Sequence, residues 1–359
     1  MPVSVNLKQW NFNAMTQRPI PDDLLPWVLK SLPEQPRDQG ELVLVAGDAS
    51  PRRYFRLQLE GRSLIVAEAP PATEKNQAFV AVQTLLAQGG VRVPDILAVD
   101  FERGYLVLED LGARTLLPLL NHKTADGYYQ AAFAVLNKIA AIDISGCDFG
   151  CYDSELLNEE LSRFPEWFVE RLLGSHLNKA ASDMLQRFNA RLVQSALEQP
   201  RVLVHRDFHS RNIMVLKSEA LAVIDFQDAV VGPITYDLAS LLRDCYIRWP
   251  ADQVTSWVAE RYQQLQHNGQ LSGVSESQYR QWFDWMGLQR HIKVLGTFAR
   301  LSLRDGKPGY LADLPLVIAY VEQTAQQYAS QEPVFAEFLQ WFESDMLPLI
   351  TRQQWWTKR

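Results

Sequence analysis

Three polar residues with a characteristic spacing lie just beyond the middle of the chain. The tripeptide His205–Asp207, of sequence HRD, is followed five residues after its aspartate by Asn212. Asp225 comes thirteen residues later and directly follows the apolar run 221–224. A carboxylate and an amide supply oxygen ligands that suit Mg²⁺, and a second carboxylate can orient a hydroxyl and accept its proton. The spacing predicts a phosphoryl-transfer site in which Asp207 is the catalytic base and Asn212 and Asp225 are metal ligands.

The separate parts of this pattern also have simpler structural interpretations. A histidine two residues before an aspartate commonly serves a turn, and an aspartate after an apolar run often caps the next element. The joint pattern is much more specific than either part. We predict that His205 itself is structural, a neutral imidazole that ties its loop to the segment around Asp225.

The elements that must position these residues follow from the hydrophobic periodicity. It predicts strands, a short helix that begins near Pro21 and ends before Pro33, one further helix before residue 112, and mainly helices after it. The strands are expected at Leu42–Val45, Tyr54–Leu59, Leu64–Ala69, Asp95–Asp100 and Tyr105–Glu109, the early helix at Glu74–Gln88, and later helices near 123–142, 153–173 and 177–198. We therefore predict an α+β fold with a small lobe of antiparallel sheet and helix, residues 1–112, and a larger, mainly α-helical lobe, residues 113–359.

Composition excludes several classes of function. The chain has 359 residues, of which 47% are hydrophobic and 21% charged, as in an ordinary globular protein. Its net charge of −7 argues against a nucleic-acid partner. Three cysteines, with Cys147 and Cys151 lacking the further ligands of a zinc site, suit a reducing compartment. No signal peptide and no run of 18 apolar residues is visible, so we expect a cytoplasmic protein without a membrane partner.

The residues 205–227 resemble the catalytic and metal-binding loops of the aminoglycoside phosphotransferase and choline kinase superfamily, which has the protein-kinase-like fold. Similar stretches are GDASPRRYFRL at 47–57, AEAPPATEKNQAFVAV at 67–82, VLEDLG at 107–112, VGPITYDLASLLRD at 231–244 and GTFARLSLRDGKPGYL at 296–311. The resemblance therefore covers nearly the whole chain. Within the superfamily, the sequence is most similar to bacterial kinases of the anomeric hydroxyl of N-acetylmuramate and N-acetylglucosamine.

This resemblance implies ATP and Mg²⁺ as cofactors and an amino sugar as the small-molecule substrate, phosphorylated on its C1 hydroxyl for cell-wall recycling. In the family the hairpin at 47–53 covers the ATP phosphates, where Ser50, backbone amides and Arg52 or Arg53 would act. Near the hinge between the lobes, the backbone of Glu109 and Leu111 would bind the adenine edge. An ordinary polar hairpin is an equally good interpretation of residues 47–53 taken alone.

One position departs from the family pattern. Kinase-like sites carry a lysine on the third strand that holds the α- and β-phosphates. Here the segment 66–69 reads VAEA, with Glu68 and no lysine, and the nearest cations are Lys75 and the Arg52-Arg53 pair. We interpret the gap as a trait of the subfamily because the amino-sugar kinases resemble this segment.

The segment expected to contribute to the binding of the phosphate acceptor, residues 271–305, is more basic than acidic. Residues 271–305 hold three acids, Glu276, Asp284 and Asp305, against the five bases Arg280, Arg290, Lys293, Arg300 and Arg304. That balance favours a neutral or anionic acceptor over the cationic aminoglycosides or amino alcohols such as choline, which remain the alternative substrates. A non-catalytic nucleotide-binding module is the alternative from another class, suggested by the missing lysine.

A basic stripe recurs at spacings of three and four, so its members share one face of a continuous helix: Arg290, Lys293, Thr297, Arg300 and Arg304. A stripe of this kind is usually solvated. The functional alternative is that Arg300 or Arg304 binds the lactyl carboxylate of N-acetylmuramate through a charge-assisted pair.

Overall fold

The computed structural model describes residues 18–33, 40–46, 51–145 and 150–357. The described residues divide into two compact units. The first comprises the residues up to Val80 together with Pro94–Asp110, and the second comprises Ala81–Val93 and the residues from Leu111 onward.

An antiparallel sheet of five strands forms the first unit, preceded by helix α1 at Leu24–Ser31. The strands are β1 Leu42–Ala46, β2 Arg53–Leu59, β3 Arg62–Glu68, β4 Ile96–Asp100 and β5 Tyr105–Glu109. Their order in the sheet is β1-β2-β3-β5-β4, and each neighbouring pair is antiparallel. The predicted strands are therefore present, with ends that differ by one or two residues.

The core of the first unit lies between α1 and the sheet. Leu24 and Val28, four residues apart and thus on one helix face, are fully buried. Every second residue of β2 points to the same side, so that Phe55, Leu57 and Leu59 pack in the same cluster. The alternation of side chains along β2 thereby fixes which face of the sheet the helix covers.

Helix α2, Asn76–Gln88, follows the first three strands, and the rest of the chain is dominated by helices. The helices are α3 Ala125–Ala140, α4 Ser154–Arg163, α5 Lys179–Leu197, α6 Tyr236–Leu242, α7 Ala251–His267, α8 Glu276–Leu303, α9 Leu314–Tyr328, α10 Pro333–Trp341 and α11 Leu347–Ile350. Short 3-10 turns span Leu117–Leu119 and Pro308–Asp313, and π-helical segments span Phe164–Leu172 and Phe342–Met346. Among the described residues, none of these helices is both long and apolar enough to cross a membrane.

Two small antiparallel strand pairs carry the loops of interest in the second unit. Strand β6, Arg201–Val204, pairs with β9, Val230–Pro233, and β7, Ile213–Val215, pairs with β8, Leu221–Val223. The HRD tripeptide directly follows β6. The β7–β8 hairpin is flanked by the two predicted metal ligands: Asn212 directly precedes β7, and Asp225 lies two residues after β8.

Helix α8 is the long central helix of the second unit. Its first turn is capped by the Ser275 hydroxyl, which accepts a hydrogen bond from the Gln278 backbone N–H. Between Trp282 and Leu295 every residue is buried, so this part of the helix is covered on all sides. At Gly296, an added Cβ would lie 2.3 Å from the carbonyl carbon of Arg163, which shows how closely the two backbones approach.

Candidate active site

The loop after β6 has an unusual backbone conformation that is held by a buried carboxylate. Arg206 has a φ angle of +74°, which is uncommon for a residue with a side chain. Asp237, at the start of α6, accepts hydrogen bonds from the backbone N–H groups of His205 at 2.7 Å and Arg206 at 3.0 Å. Burial raises the pKa of Asp237 to about 6. Asp237 therefore stabilises the turn that presents Asp207.

The His205 ring connects this loop to the segment before Asp225. Its Nδ1 accepts a hydrogen bond from the backbone N–H of Asp207 at 3.3 Å, so the proton is on Nε2, which donates to the carbonyl oxygen of Ile224 at 3.0 Å. Burial lowers the pKa of the imidazole and favours this neutral form. The structural role predicted for His205 is confirmed.

The structure brings Asp207, Asn212 and Asp225 together. The side-chain amide of Asn212 donates to the backbone oxygen of Asp207 at 3.0 Å and lies 3.3 Å from Oδ2 of Asp225. Gln227 donates to the other carboxylate oxygen of Asp225 at 2.8 Å. Asp225 has a φ angle of +66°, so both loops contain a residue in the left-handed region. The roles of base and metal ligands for these residues remain predictions.

The two carboxylates have opposite electrostatic environments. Burial disfavours the ionised form of Asp207, but its electrostatic interactions with Lys293, His209 and Arg290 outweigh burial and lower its pKa to about 2. For Asp225, burial and then the neighbouring Asp207 carboxylate both raise the pKa. One carboxylate is therefore held ionised by the protein, whereas the other carries a charge that the protein itself does not fully compensate.

The pair formed by Asn212 and Asp225 fits Mg²⁺ by its chemistry. An amide and a carboxylate are hard oxygen donors, and Mg²⁺ commonly takes only one or two protein ligands besides water and phosphate. The uncompensated charge of Asp225 next to Asp207 also favours a cation there. Within the described residues, no group of three or more His, Cys, Asp or Glu side chains could hold a metal, so a cage built from protein carboxylates alone is not found there.

Sequence reasoning missed Glu160, a fully buried carboxylate on α4. It forms ion pairs with Arg206 at 2.5 Å and with Lys293 of α8 at 2.8 Å, and it accepts a hydrogen bond from the Tyr152 hydroxyl. Burial opposes the charge of Glu160, but the two cations outweigh it and lower its pKa. The sequence feature that could have indicated its burial is its position three residues after Leu157, on the apolar face of an amphipathic helix.

A second buried carboxylate outside the predicted set is Asp244, just after α6. Its Oδ2 accepts hydrogen bonds from the backbone N–H of Ser210 at 2.9 Å and from the Ser210 hydroxyl at 2.5 Å. Ser210 lies three residues after Asp207, so Asp244 fixes the far end of the same loop. The loop is thus held by carboxylates at both ends, since Asp237 binds the residues before Asp207 and Asp244 binds Ser210 after it.

The predicted basic stripe of α8 is not a solvated face along its whole length. Arg290 and Lys293 are only 3% and 8% exposed, so the solvated interpretation is wrong for them. Arg300 is half-buried, and burial lowers its pKa. Arg304 is exposed and forms an ion pair with the adjacent Asp305 at 2.6 Å. The contact of Arg300 or Arg304 with an acceptor carboxylate remains a prediction.

In the first unit, the third strand carries a paired carboxylate and no lysine. Glu68 is buried and accepts a hydrogen bond from Nε of Arg53, directly opposite it in the sheet, at 2.6 Å. It also pairs with Arg18 at 2.6 Å, and the Arg53 guanidinium donates to the backbone oxygens of Arg18 and Pro19. Arg53 would have to leave these partners to bind phosphate.

The remaining predicted nucleotide residues have varied surroundings. Arg52 is buried and pairs with Glu74 at 3.3 Å, and Ser50 lies outside the described residues. Glu109 is the last residue of β5, and its backbone N–H donates to the oxygen of Asp95 at 2.9 Å. Leu111 follows two residues later. Contacts of Ser50, Arg52, Arg53, Glu109 and Leu111 with a nucleotide remain predictions.

Comparison with known proteins identifies the family. Residues 41–274 match the model of the phosphotransferase enzyme family. A protein of Pseudomonas putida called N-acetylmuramate/N-acetylglucosamine kinase is 43% identical over 284 residues, 79% of this chain and 83% of that protein. A protein of the same name from Neisseria meningitidis serogroup B is 36% identical over 315 residues, 86% of this chain and 92% of that protein.

Solved structures share the fold at low sequence identity. An ethanolamine kinase of Plasmodium vivax aligns with a TM-score of 0.60 at 13% identity, covering 88% of both chains. A choline/ethanolamine kinase family protein from Mesorhizobium loti aligns with a TM-score of 0.58 at 18% identity, covering 91% of this chain and 98% of that one. The predicted protein-kinase-like α+β fold is confirmed. Together with the family match and the relatives, it shows that this chain is an enzyme that belongs to the phosphotransferase family.

Proposed function

We propose that the enzyme transfers the γ-phosphoryl group of ATP to the anomeric hydroxyl of N-acetylmuramate and N-acetylglucosamine, giving the sugar 1-phosphates. The relatives that carry these two sugars in their names support the substrate class. The observation that carries the proposal is the meeting of Asp207, Asn212 and Asp225 in one hydrogen-bonded group. We further propose a cytoplasmic role in recycling cell-wall amino sugars, since N-acetylmuramate is a sugar of that polymer.

In this proposal Asp207 orients the acceptor hydroxyl and accepts its proton. A carboxylate with a pKa of about 2 is a weak base, so early proton abstraction contributes little. Phosphoryl transfer passes through a loose transition state in which alignment of the nucleophile matters more than its deprotonation. A carboxylate that stays ionised suits that task, because it remains a hydrogen-bond acceptor throughout the reaction.

Asn212 and Asp225 are the residues that would hold Mg²⁺. When bound there with the nucleotide, the ion would supply charge neutralisation for the β- and γ-phosphates. Gln227 donates to Asp225 and orients its carboxylate, as outer partners of metal ligands commonly do. We propose Ser50, the amides of its loop and Arg52 or Arg53 for the phosphates, and the backbone of Glu109 and Leu111 for adenine.

The charge around Asp207 disfavours a cationic acceptor. Three buried or half-buried cations, Arg206, Arg290 and Lys293, lower the pKa of Asp207. An aminoglycoside or an amino alcohol would bring further positive charge beside them, at a Coulombic cost. A neutral or anionic sugar avoids that cost, which supports amino sugars over the choline-type alternative.

The test is an ADP-release assay with a panel of acceptors at saturating ATP and Mg²⁺. We expect turnover with N-acetylmuramate and N-acetylglucosamine and not with kanamycin or choline, and we expect ³¹P and ¹H NMR to locate the phosphate on C1. Phosphate on another hydroxyl would contradict the anomeric assignment. The absence of acceptor-stimulated turnover would favour the non-catalytic module.

A further inference from the structure

Arg290, in the buried part of α8, is a cation that forms no ion pair with a carboxylate in the part of the chain that the structure describes. Its guanidinium is permanently protonated and only 3% exposed. Within the described residues, it makes one hydrogen bond, from Nη1 to the Cys245 sulfur at 3.5 Å, and its buried Nε has no partner. A thiol is a weak acceptor, so most of the hydrogen-bonding capacity of this side chain is unused.

The neighbouring buried cations, in contrast to Arg290, form ion pairs with a carboxylate. Lys293, one helical turn along α8, pairs with Glu160 at 2.8 Å and donates to the Tyr236 hydroxyl at 3.0 Å. Arg206 pairs with the same Glu160. The carboxylates of Asp207 and Asp244 stabilise the Arg290 charge through space, but a buried hydrogen-bond donor without a partner in a folded protein calls for a specific explanation. An anionic ligand would supply the missing partner.

Arg290 is connected to the loop of the proposed base through a short series of neighbouring residues. Cys245, which contacts Arg290, follows Asp244 in the chain, and Asp244 holds Ser210 at the end of the loop of Asp207. On the other side, Lys293 reaches the start of that loop through Glu160 and Arg206. The turn of α8 from Arg290 to Lys293 is thus connected to both ends of the catalytic loop.

The other arginines of the stripe lie far along the same helix. At a rise of 1.5 Å per residue, Arg300 and Arg304 are about 15 and 21 Å from Arg290 along the axis of α8. A single pyranose ring with its C1 hydroxyl at the base is shorter than two helical turns, about 11 Å. A substituent of that ring therefore reaches the turn that carries Arg290 more readily than the end of the helix.

We propose that Arg290 is the specificity-determining residue that binds the carboxylate of an anionic acceptor, the lactyl group of N-acetylmuramate, through a bidentate, charge-assisted pair of hydrogen bonds. The inference rests on the proposed function, because it takes the acceptor and the base from there. N-acetylglucosamine lacks the carboxylate, so this contact distinguishes the two sugars.

The test compares N-acetylmuramate with its carboxamide, in which the charge is removed and the shape is retained. In the wild type we expect a higher kcat/KM for the acid than for the amide. Arg290→Gln should lower that ratio by at least about tenfold, the usual effect of losing a charge-assisted hydrogen bond. Titration calorimetry with the acid and the amide, in the absence of nucleotide, should show the same loss of preference in binding.

Arg300→Gln and Arg304→Gln are the matched variants on the same helix. A fall in the acid-to-amide ratio in either of them, with no fall in Arg290→Gln, overturns the inference. Equal losses for acid and amide in Arg290→Gln also overturn it, because they indicate a structural or phosphate-binding role. If Arg290→Gln does not fold, Arg290→Lys decides: it keeps the charge but not the planar fork, and an unchanged ratio would then contradict a bidentate carboxylate contact.

Failure of the proposed function can be told apart from failure of this inference. A wild-type enzyme that phosphorylates neither sugar overturns both. A wild-type enzyme that phosphorylates both, with a ratio that does not respond to Arg290, overturns the inference alone.

Discussion

The His205 imidazole donates its Nε2 proton to the carbonyl oxygen of Ile224 at 3.0 Å, and Ile224 directly precedes Asp225. One buried ring therefore sets the distance between the loop that carries the proposed base and the segment that carries a proposed metal ligand. The contact is between a side chain and the backbone, so it constrains the position of Asp225 without using its carboxylate.

We expect His205→Ala to destabilise the protein and to weaken its use of Mg²⁺. The variant leaves a buried carbonyl oxygen without a donor, at a cost of about 1–3 kcal/mol in the free energy of unfolding. Urea unfolding measures the first effect and a Mg²⁺ titration of kcat measures the second. His205→Gln, which keeps a donor, is the control and should recover part of both. Wild-type Mg²⁺ dependence in His205→Ala would show that the link does not position Asp225.

Replacing Asp207 by Asn tests the proposed base. The substitution keeps the shape but removes the charge that orients the acceptor hydroxyl. We expect kcat to fall on the order of 10²-fold or more, with a modest change in ATP affinity. Steady-state kinetics and nucleotide binding measure the two quantities. A variant with kcat near that of the wild type would remove Asp207 from the catalytic role.

Metal dependence separates the proposed ligands from the base. Asp225→Ala and Asn212→Ala should raise the Mg²⁺ concentration needed for half-maximal activity, and the Asn212 variant should be partly rescued by excess Mg²⁺, because water can fill one vacated site. Asp207→Asn provides the comparison, since its defect should not respond to Mg²⁺. Wild-type Mg²⁺ titrations for both ligand variants would assign the metal site to other residues.

The close approach of α8 to the end of α4 predicts a strong effect of a single methyl group. In Gly296→Ala the new Cβ would lie 2.3–2.6 Å from backbone atoms of Arg163 and Phe164, which cannot move as a flexible side chain can. We expect a loss of about 3 kcal/mol in the free energy of unfolding. Gly127→Ala in α3 is the matched control, because no atom lies within 4 Å of its Cβ. It should instead stabilise the protein by about 0.5 kcal/mol.

A buried histidine predicts acid sensitivity. His291 is stacked on Tyr320 and bonds to the Arg243 carbonyl oxygen at 2.9 Å, and burial lowers its pKa to about 3. Because the unfolded chain binds the proton near pH 6.5 and the folded one does not, stability present above that pH is lost as the pH falls. The loss from this group between pH 7.5 and 5 is about 2 kcal/mol.

We expect His291→Gln to have a shallower decline in the free energy of unfolding between pH 7.5 and 5 than the wild type. Denaturant unfolding at a series of pH values measures the difference, and burial also lowers the pKa of His205 and His209, so part of the decline remains. Parallel pH profiles for the two proteins would show that folding does not lower the pKa of His291.

The site features that the sequence reveals are those encoded locally. The spacing of Asp207, Asn212 and Asp225 reflects two short loops at the ends of strands, which a few neighbouring residues determine. Glu160 could not be placed in the same way, because it comes from a helix more than forty residues earlier and meets the loop only through tertiary packing. Periodicity likewise puts Arg290 and Arg300 on one face of α8, but it does not say which part of that face other helices cover.

In the first unit, too, the sequence pattern predicts the elements but not the side-chain contacts between them. The residue pattern predicts the strand β3, and the sequence shows that β3 has no lysine. The pairing of Glu68 with Arg53, however, depends on the register between β2 and β3. The predicted helix at 153–173 is in fact an α-helix that ends at Arg163 and continues as a π-helical segment. Hydrogen-bond register within a helix leaves little trace in the pattern of apolar residues.

The Glu160 carboxylate forms ion pairs with Arg206 in the loop of Asp207 and with Lys293 in helix α8. This double pairing affects how the acceptor specificity of the enzyme can change in evolution. Selection for another substrate that changes Lys293 also changes the charge balance at Arg206, which directly precedes the proposed base in the chain. A variant that binds a new acceptor better and keeps its turnover would then need a second, compensating substitution at a residue of the same ion pairs. Adaptive substitutions should therefore accumulate outside this ion-pair network, and variation at Glu160 and Lys293 should be correlated among descendants of a common ancestor.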